Sequence, residues 1–187
     1  MFEKEIYNRT HQLVRMDAHK CVGLADALYF GDHANFVSRL NDYPQEQYLY
    51  ISKLIELKFE EIKDTVKNYT LNSATSTSAS KSKQWLKILR THLKLACQLA
   101  PDEVVKIVEK TIKENFYPLE ECLKTCQEFR QLEASAMITK KIGSYKESIT
   151  LYLELLDRDL NIKEFRKELY VFERDRNKKV ENERKEI

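Results

Sequence analysis

The sequence predicts an all-α protein, an α-solenoid of about nine helices stacked as antiparallel hairpins. Three observations lead there. Apolar residues recur at spacings of three and four along most of the chain, the signature of one helix face. Gly and Pro are scarce, three of each in 187 residues, too few for the turns of a β-sandwich or barrel. Punctuation agrees with periodicity: Pro44, Pro101 and Pro118 fall at helix starts, and Gly31 and Gly143 at helix ends. Several segments carry two apolar rows and must be covered on two sides. That favours hairpins layered on one another over a four-helix bundle, in which each helix has one seam.

The first helix is expected over Phe2 to Arg15, and Asp17 is placed to cap a second. Ala18, Cys21, Val22, Ala25, Leu28 and Tyr29 form the inner face of that second helix, which Gly31 ends. Asp32 caps a short helix bearing Phe36, Val37 and Leu40. Pro44 opens a long helix reaching about Asp64, with Tyr48, Ile51, Ser52, Ile55, Phe59 and Ile62 on one row and Tyr50, Leu54 and Leu57 on another. Leu71 to Ser82 is rich in Ser and Thr with almost nothing to bury, and reads as a flexible loop open to phosphorylation. Lys83 to Ala100 again has two rows, one through Leu86, Leu89, Leu93 and Cys97, the other through Trp85, Ile88, His92, Leu95 and Leu99. Pro101-Asp102-Glu103 starts the next helix, with two carboxylates at the positive end of its dipole; Val104, Val105, Val108 and Ile112 face inward. Asn115 breaks the chain, and Pro118 opens a helix lined by Leu119, Cys122, Leu123, Cys126 and Phe129. Leu132 to Ile142 follows, stopped by Gly143. Ser144 to Glu147 and Asn161 to Glu164 match capping boxes. The first heads a helix lined by Tyr145, Ser148, Ile149, Tyr152, Leu155 and Leu156, and the second heads one lined by Phe165, Leu169 and Phe172.

The chain thus divides into helical hairpins over 1–70, the Ser/Thr-rich loop 71–82, further hairpins over 83–175 and a charged tail 176–187. Apolar residues make up 42% and charged residues 33%, enough to bury a core and solvate a surface. Lys and Glu are interleaved around a net charge of +2. That is the pattern of solvated helix faces, not the basic stripe of a nucleic-acid binder. Cys21, Cys97, Cys122 and Cys126 are sparse and read as reduced thiols of a cytoplasmic protein. No stretch has the apolar length of a membrane span, and Met1 to Ile6 lacks the apolar run of a signal peptide.

Chemistry-bearing residues do not gather. Cys122 and Cys126 sit four apart without a second pair to complete a zinc site. His19 and Cys21, or His33 beside Asp32, could supply a nucleophile and base, yet Cys21 lies on the apolar stripe. Glu60-Glu61 and Glu120-Glu121 are adjacent on helices and so point about 100° apart. The expectation is therefore no catalytic, metal or cofactor residues and no enzymatic activity. Tyr43, Tyr48, Tyr50, Tyr117, Tyr145, Tyr152 and Tyr170 are candidate contact anchors.

One stretch carries a family resemblance. Leu132-Glu-Ala134-Ser-Ala136-Met-Ile138 with Ile142-Gly143-Ser-Tyr145, then Ile149 and Tyr152, resembles the clathrin heavy-chain type repeat. In that repeat small residues pack one helix, a Gly ends it and an aromatic opens the next. Cys122, Cys126 and Phe129 suit the preceding helix, and His33 to Leu40 with Tyr43 to Leu49 are similar to the solenoid of the vacuolar-sorting subunits of the CORVET and HOPS tethering complexes. The Rab-binding subunit of CORVET is nearest in pattern. The resemblance spans roughly Asp17 to Leu156. It implies a scaffold of an endosomal or vacuolar vesicle-tethering or coat-like complex. The partners would be tethering-complex subunits and a Rab-type GTPase, and membrane contact would be indirect, through the complex. Such subunits usually carry a propeller and often a zinc-binding RING, so a short paralogue or a segment is implied. The competing expectation is a stand-alone helical-bundle adaptor unrelated to membrane traffic.

Overall fold

The computed structural model describes residues 9–29, 31–71, 76–161, 164, 167 and 170. The expected helix start at Phe2, the inward set Phe165, Leu169 and Phe172, and the tail 176–187 lie outside the described residues. Among the described residues the fold is all-α and holds no strand. The helices are α1 (Thr10–Tyr29), α2 (His33–Ser38), α3 (Pro44–Leu57), α4 (Phe59–Leu71), α5 (Ser76–Leu99), α6 (Pro101–Glu114), α7 (Leu119–Glu128), α8 (Leu132–Ile142) and α9 (145–161).

Local signals decide most boundaries. Asp17 is extended, at φ −161° and ψ 93°, and kinks α1. Its carboxylate accepts the Lys20 amide at 3.0 Å, so it caps the second half of α1 as its side chain suggests. Asp32 caps α2 the same way, accepting from the Asn35 amide at 3.1 Å. Asn115 ends α6 in the left-handed region at φ 52°, and Gly143 ends α8 at φ 97°.

Three expected boundaries are corrected. The long helix from Pro44 is interrupted at Lys58, at φ −109° and ψ 18°. Neither Pro nor Gly marks the place, and tertiary contacts hold the break. The Lys58 ammonium reaches Asp26 at 2.9 Å, and Phe59 turns to pack edge-on against Phe116 at 5.2 Å. The loop expected over 71–82 is helical from Ser76 onward, which leaves its centre, 72–75, outside the described residues. Once the apolar rows from Trp85 onward form a helix, each earlier residue adds only at the propagation cost. Ser82 is buried, and its hydroxyl donates to the Thr65 carbonyl at 3.2 Å, tying α5 to α4. Finally, Asn161, expected to cap the next helix, is itself helical.

The core sits around α5, which packs against α2, α3, α4, α6 and α7. Its Trp85, Ile88, Leu89, Leu93 and Ala96 are buried. On the N-terminal side α3 contributes Tyr50, Ile51 and Leu54, and α1 contributes Val14 and Val22. Fully burying side chains of this size contributes about 1.5–3 kcal/mol each. Both expected rows of α5 are therefore covered over most of their length, but Leu99 at the end of the second, expected to be covered too, is 40% exposed. Ion pairs cross several contacts: Arg15 with Glu46, Lys63 with Glu114 at 2.7 Å and Arg90 with Glu121 at 2.6 Å.

Candidate functional site

The repeat-like stretch builds one edge of the molecule. Ala134, Ser135, Ala136, Ile138 and Thr139 are buried, where α8 packs against α6 and α7. Small side chains let backbones approach closely. The Ser148 hydroxyl of α9 donates to the Ala136 carbonyl at 2.8 Å. Thr139 donates within α8 to the Ser135 and Ala136 carbonyls, both at 3.0 Å. Past Gly143 the Ser144 amide reaches back to the Thr139 carbonyl at 2.9 Å, and the Gly143 amide to Lys140 at 3.2 Å, the pattern of a Schellman stop. A Cβ on Gly143 would meet nothing within 4 Å, so it is the left-handed backbone that requires glycine there.

The other motif residues are placed differently. Leu132 and Tyr152 are half-buried. Ile142 is 43% exposed, Tyr145 65% and Ile149 60%, which corrects the expectation that Tyr145 and Ile149 pack inward. Leu156, expected on the same inner face, is also exposed. The cause is helical phase. Ser148 is the point of closest approach to α8, so residues near its direction, such as Tyr152 and Leu155, are half-buried. Tyr145, Ile149, Leu153, Leu156 and Leu160 follow one another at spacings of four, four, three and four. They therefore form a row roughly 100° further round, and all five are exposed. The outward face of α9 thus carries a contiguous row of large apolar side chains.

The remaining chemistry stays apart. Cys97, Cys122 and Cys126 are buried where α5 meets α7. The hydrogen bond with Cys126, then burial, pushes the Cys97 thiol far up, while the hydrogen bond with Cys122 and burial push the Cys126 thiol up to about 12 against the opposing bond from Cys97. Burial, with Asp17 nearby, pushes the Cys21 thiol up to about 11. These thiols stay protonated, which suits core packing and not nucleophilic attack. His19 is exposed while Cys21 is buried, so they do not pair. His33 is buried, with Nδ1 on the Tyr50 hydroxyl at 2.9 Å and Nε2 on Asp26 at 3.2 Å. It holds α2 to α3 and α1. Glu61 pairs with Lys81 at 2.8 Å and Glu121 with Arg90, while Glu60 and Glu120 face solvent.

One constellation was not singled out by sequence. Ser52 of α3 and His92 of α5 meet at 3.1 Å between Oγ and Nε2, and the Tyr48 ring stacks on the imidazole at 5.3 Å. Burial, reinforced by Lys110, lowers His92 to about 4. The imidazole is therefore neutral at pH 7 and too weak a base to activate Ser52. The available signal was a polar residue on each of two apolar rows. Among the described residues no helix is long and apolar enough to cross a membrane. No protein-family model matches the chain, and no curated protein or solved structure matches it.

Proposed function

We propose that this chain is a protein–protein interaction scaffold whose α9 face docks a helical layer of another protein. The exposed row from Tyr145 to Leu160 carries this reading. Five large apolar side chains at helical spacing are what a following helix would cover. Successive packing supports a solenoid arrangement: α1 meets α3, α3 meets α5, α5 meets α7 and α6 meets α8. A stack built this way leaves its last layer with an open face, and among the described residues α9 is the last layer and its outer row is exposed. The finer reading is a segment of an endosomal or vacuolar vesicle-tethering or coat-like complex, acting in vesicle-mediated transport. It rests on the repeat resemblance through Gly143 and Tyr145. Its partners are tethering-complex subunits and a Rab-type GTPase, and its place is cytoplasmic, peripheral to those membranes. No cofactor is needed for such work.

The test is proximity labelling in cells with wild type and an Ile149→Glu/Leu156→Glu variant. Both residues are exposed, so the variant should melt within about 0.5 kcal/mol of wild type. Loss of a defined set of labelled proteins, with tethering subunits among them, is the expected result. An unchanged set would remove the α9 face from the argument. A changed set without membrane-traffic proteins would leave the scaffold and remove the tethering reading. A stand-alone helical-bundle adaptor is the second reading, favoured by one fact: α5 touches five other helices, as a central bundle helix does. Small-angle scattering separates the two, since the bundle is round and the stack elongated.

A further inference from the structure

We propose that the cavity between α3, α5 and α6 is a binding site for a small, uncharged aromatic molecule carrying one hydrogen-bonding group, a phenol in the simplest case. The cavity has a volume of about 190 Å³. A dry apolar cavity of about 150 Å³ is large enough to hold benzene, so one substituted ring fits here.

The walls decide the body of the ligand. Tyr48 and Phe116 supply aromatic faces and edges, and Ile55, Leu93 and Ile107 supply aliphatic ones. Such a lining favours a flat apolar guest. The charges at the mouth decide against an ion. Glu56 is already held by Lys53 at 2.6 Å, and Glu103 lies 3.8 Å from Lys106. The Lys110 ammonium sits over the Phe59 ring at 3.9 Å. Both signs stand at the mouth and each charge already has a partner, so an uncharged guest, which gives up no ionic hydration on entry, is favoured.

The inner polar pair decides the functional group. Ser52 Oγ and His92 Nε2 share one hydrogen bond. Tyr48 is a second hydrogen-bond partner of Ser52; a hydroxyl has one donor and two acceptor positions, so one position on Ser52 is left for a guest. Tyr48, stacked on His92, fixes the ring. The buried imidazole is neutral at pH 7, so it adds no charge that the guest would need to match. A guest that offers an O–H or N–H to Ser52 gains there, and one without it does not.

The experiment is a titration of the full chain with phenol and, separately, toluene, followed by amide NMR shifts. Saturable shifts at Ser52, His92, Leu93 and Ile107 are expected, with phenol bound roughly three- to tenfold more tightly than toluene, the size of one net hydrogen bond. Ile107→Trp, which fills the cavity, should abolish saturation. Ser52→Ala should keep the binding and remove the preference for phenol, a readout that does not depend on Ile107→Trp folding. Absence of saturable phenol shifts in wild type overturns the proposal. So do equal shifts in a folded Ile107→Trp, or a phenol preference that survives Ser52→Ala.

Discussion

Lowering the pH from 7 to 4 should weaken this fold, and His92 supplies a definable share of the loss. Burial is the main cause that lowers its folded pKa from 6.5 to about 4, and Lys110 adds to it. A folded pKa below the unfolded one means that the unfolded chain takes up the proton first. The associated stability is complete above pH 6.5, falls as the pH drops towards 4, and stays flat below that. The interval of 6.5 to about 4, at 1.36 kcal/mol per unit, amounts to about 3 kcal/mol. His33 shifts in the same direction, because burial outweighs the opposing pull of Asp26, so its loss adds to that of His92. The paired carboxylates Glu46 and Glu114, lowered chiefly by Arg15 and Lys63, lose their contribution only below the ordinary Glu range. His92→Gln isolates one share, because the amide can still reach Ser52 and does not titrate. Urea unfolding followed by circular dichroism at pH 7, 6, 5 and 4.5 measures it. Wild type should lose stability with a clearly steeper slope than His92→Gln across that range. Equal slopes in the two proteins would refute the claim that the buried imidazole stays neutral.

Other substitutions test the packing directly. Leu93→Ala, at a side chain 1% exposed, should cost about 2–5 kcal/mol in chemical denaturation; a loss under about 1 kcal/mol would mean that the α5 junction is not the centre of the core. Gly143→Ala, at φ 97°, should cost about 1–2 kcal/mol by thermal melting, because the strain is in the backbone and no neighbour blocks the new methyl group. Native Cys97, Cys122 and Cys126 should react with iodoacetamide at neutral pH only at the rate of unfolding, as read by mass spectrometry. Fast alkylation of the native protein would contradict the burial of all three and the raised pKa values of Cys97 and Cys126.

The features legible in sequence were those with a local cause. Asp17, Asp32, Pro101 and Gly143 each act on the backbone within four residues, and each boundary they mark is present. The break at Lys58 was illegible because it depends on Asp26 and Phe116, which are remote in sequence. The helical turn and a half before Ser82 was hidden by composition. A stretch of Ser and Thr reads as a loop, yet a Ser hydroxyl bonds a neighbouring carbonyl as readily in a helix as in a loop. In α9 periodicity located an apolar arc without its phase. Only the Ser148 bond to Ala136 shows that Tyr145 and Ile149 face away from the molecule.

The same reasoning explains why both candidate sites escaped a residue-by-residue reading. Sequence motifs reveal chemistry when reacting groups share one element, as paired cysteines or a capping box do. Ser52 and His92 are 40 residues apart and lie on different helices. Each was therefore visible only as a polar exception on an apolar row. A buried polar residue needs a partner, so two such exceptions on helices expected to pack together amount to a prediction of mutual contact. The α9 row is the converse case: apolar residues with no inner surface left to cover. Polar groups turned inward and apolar groups turned outward both cost stability unless something else compensates. Ser52 compensates His92, and the docked layer proposed for α9 would do the same for the exposed row from Tyr145 to Leu160.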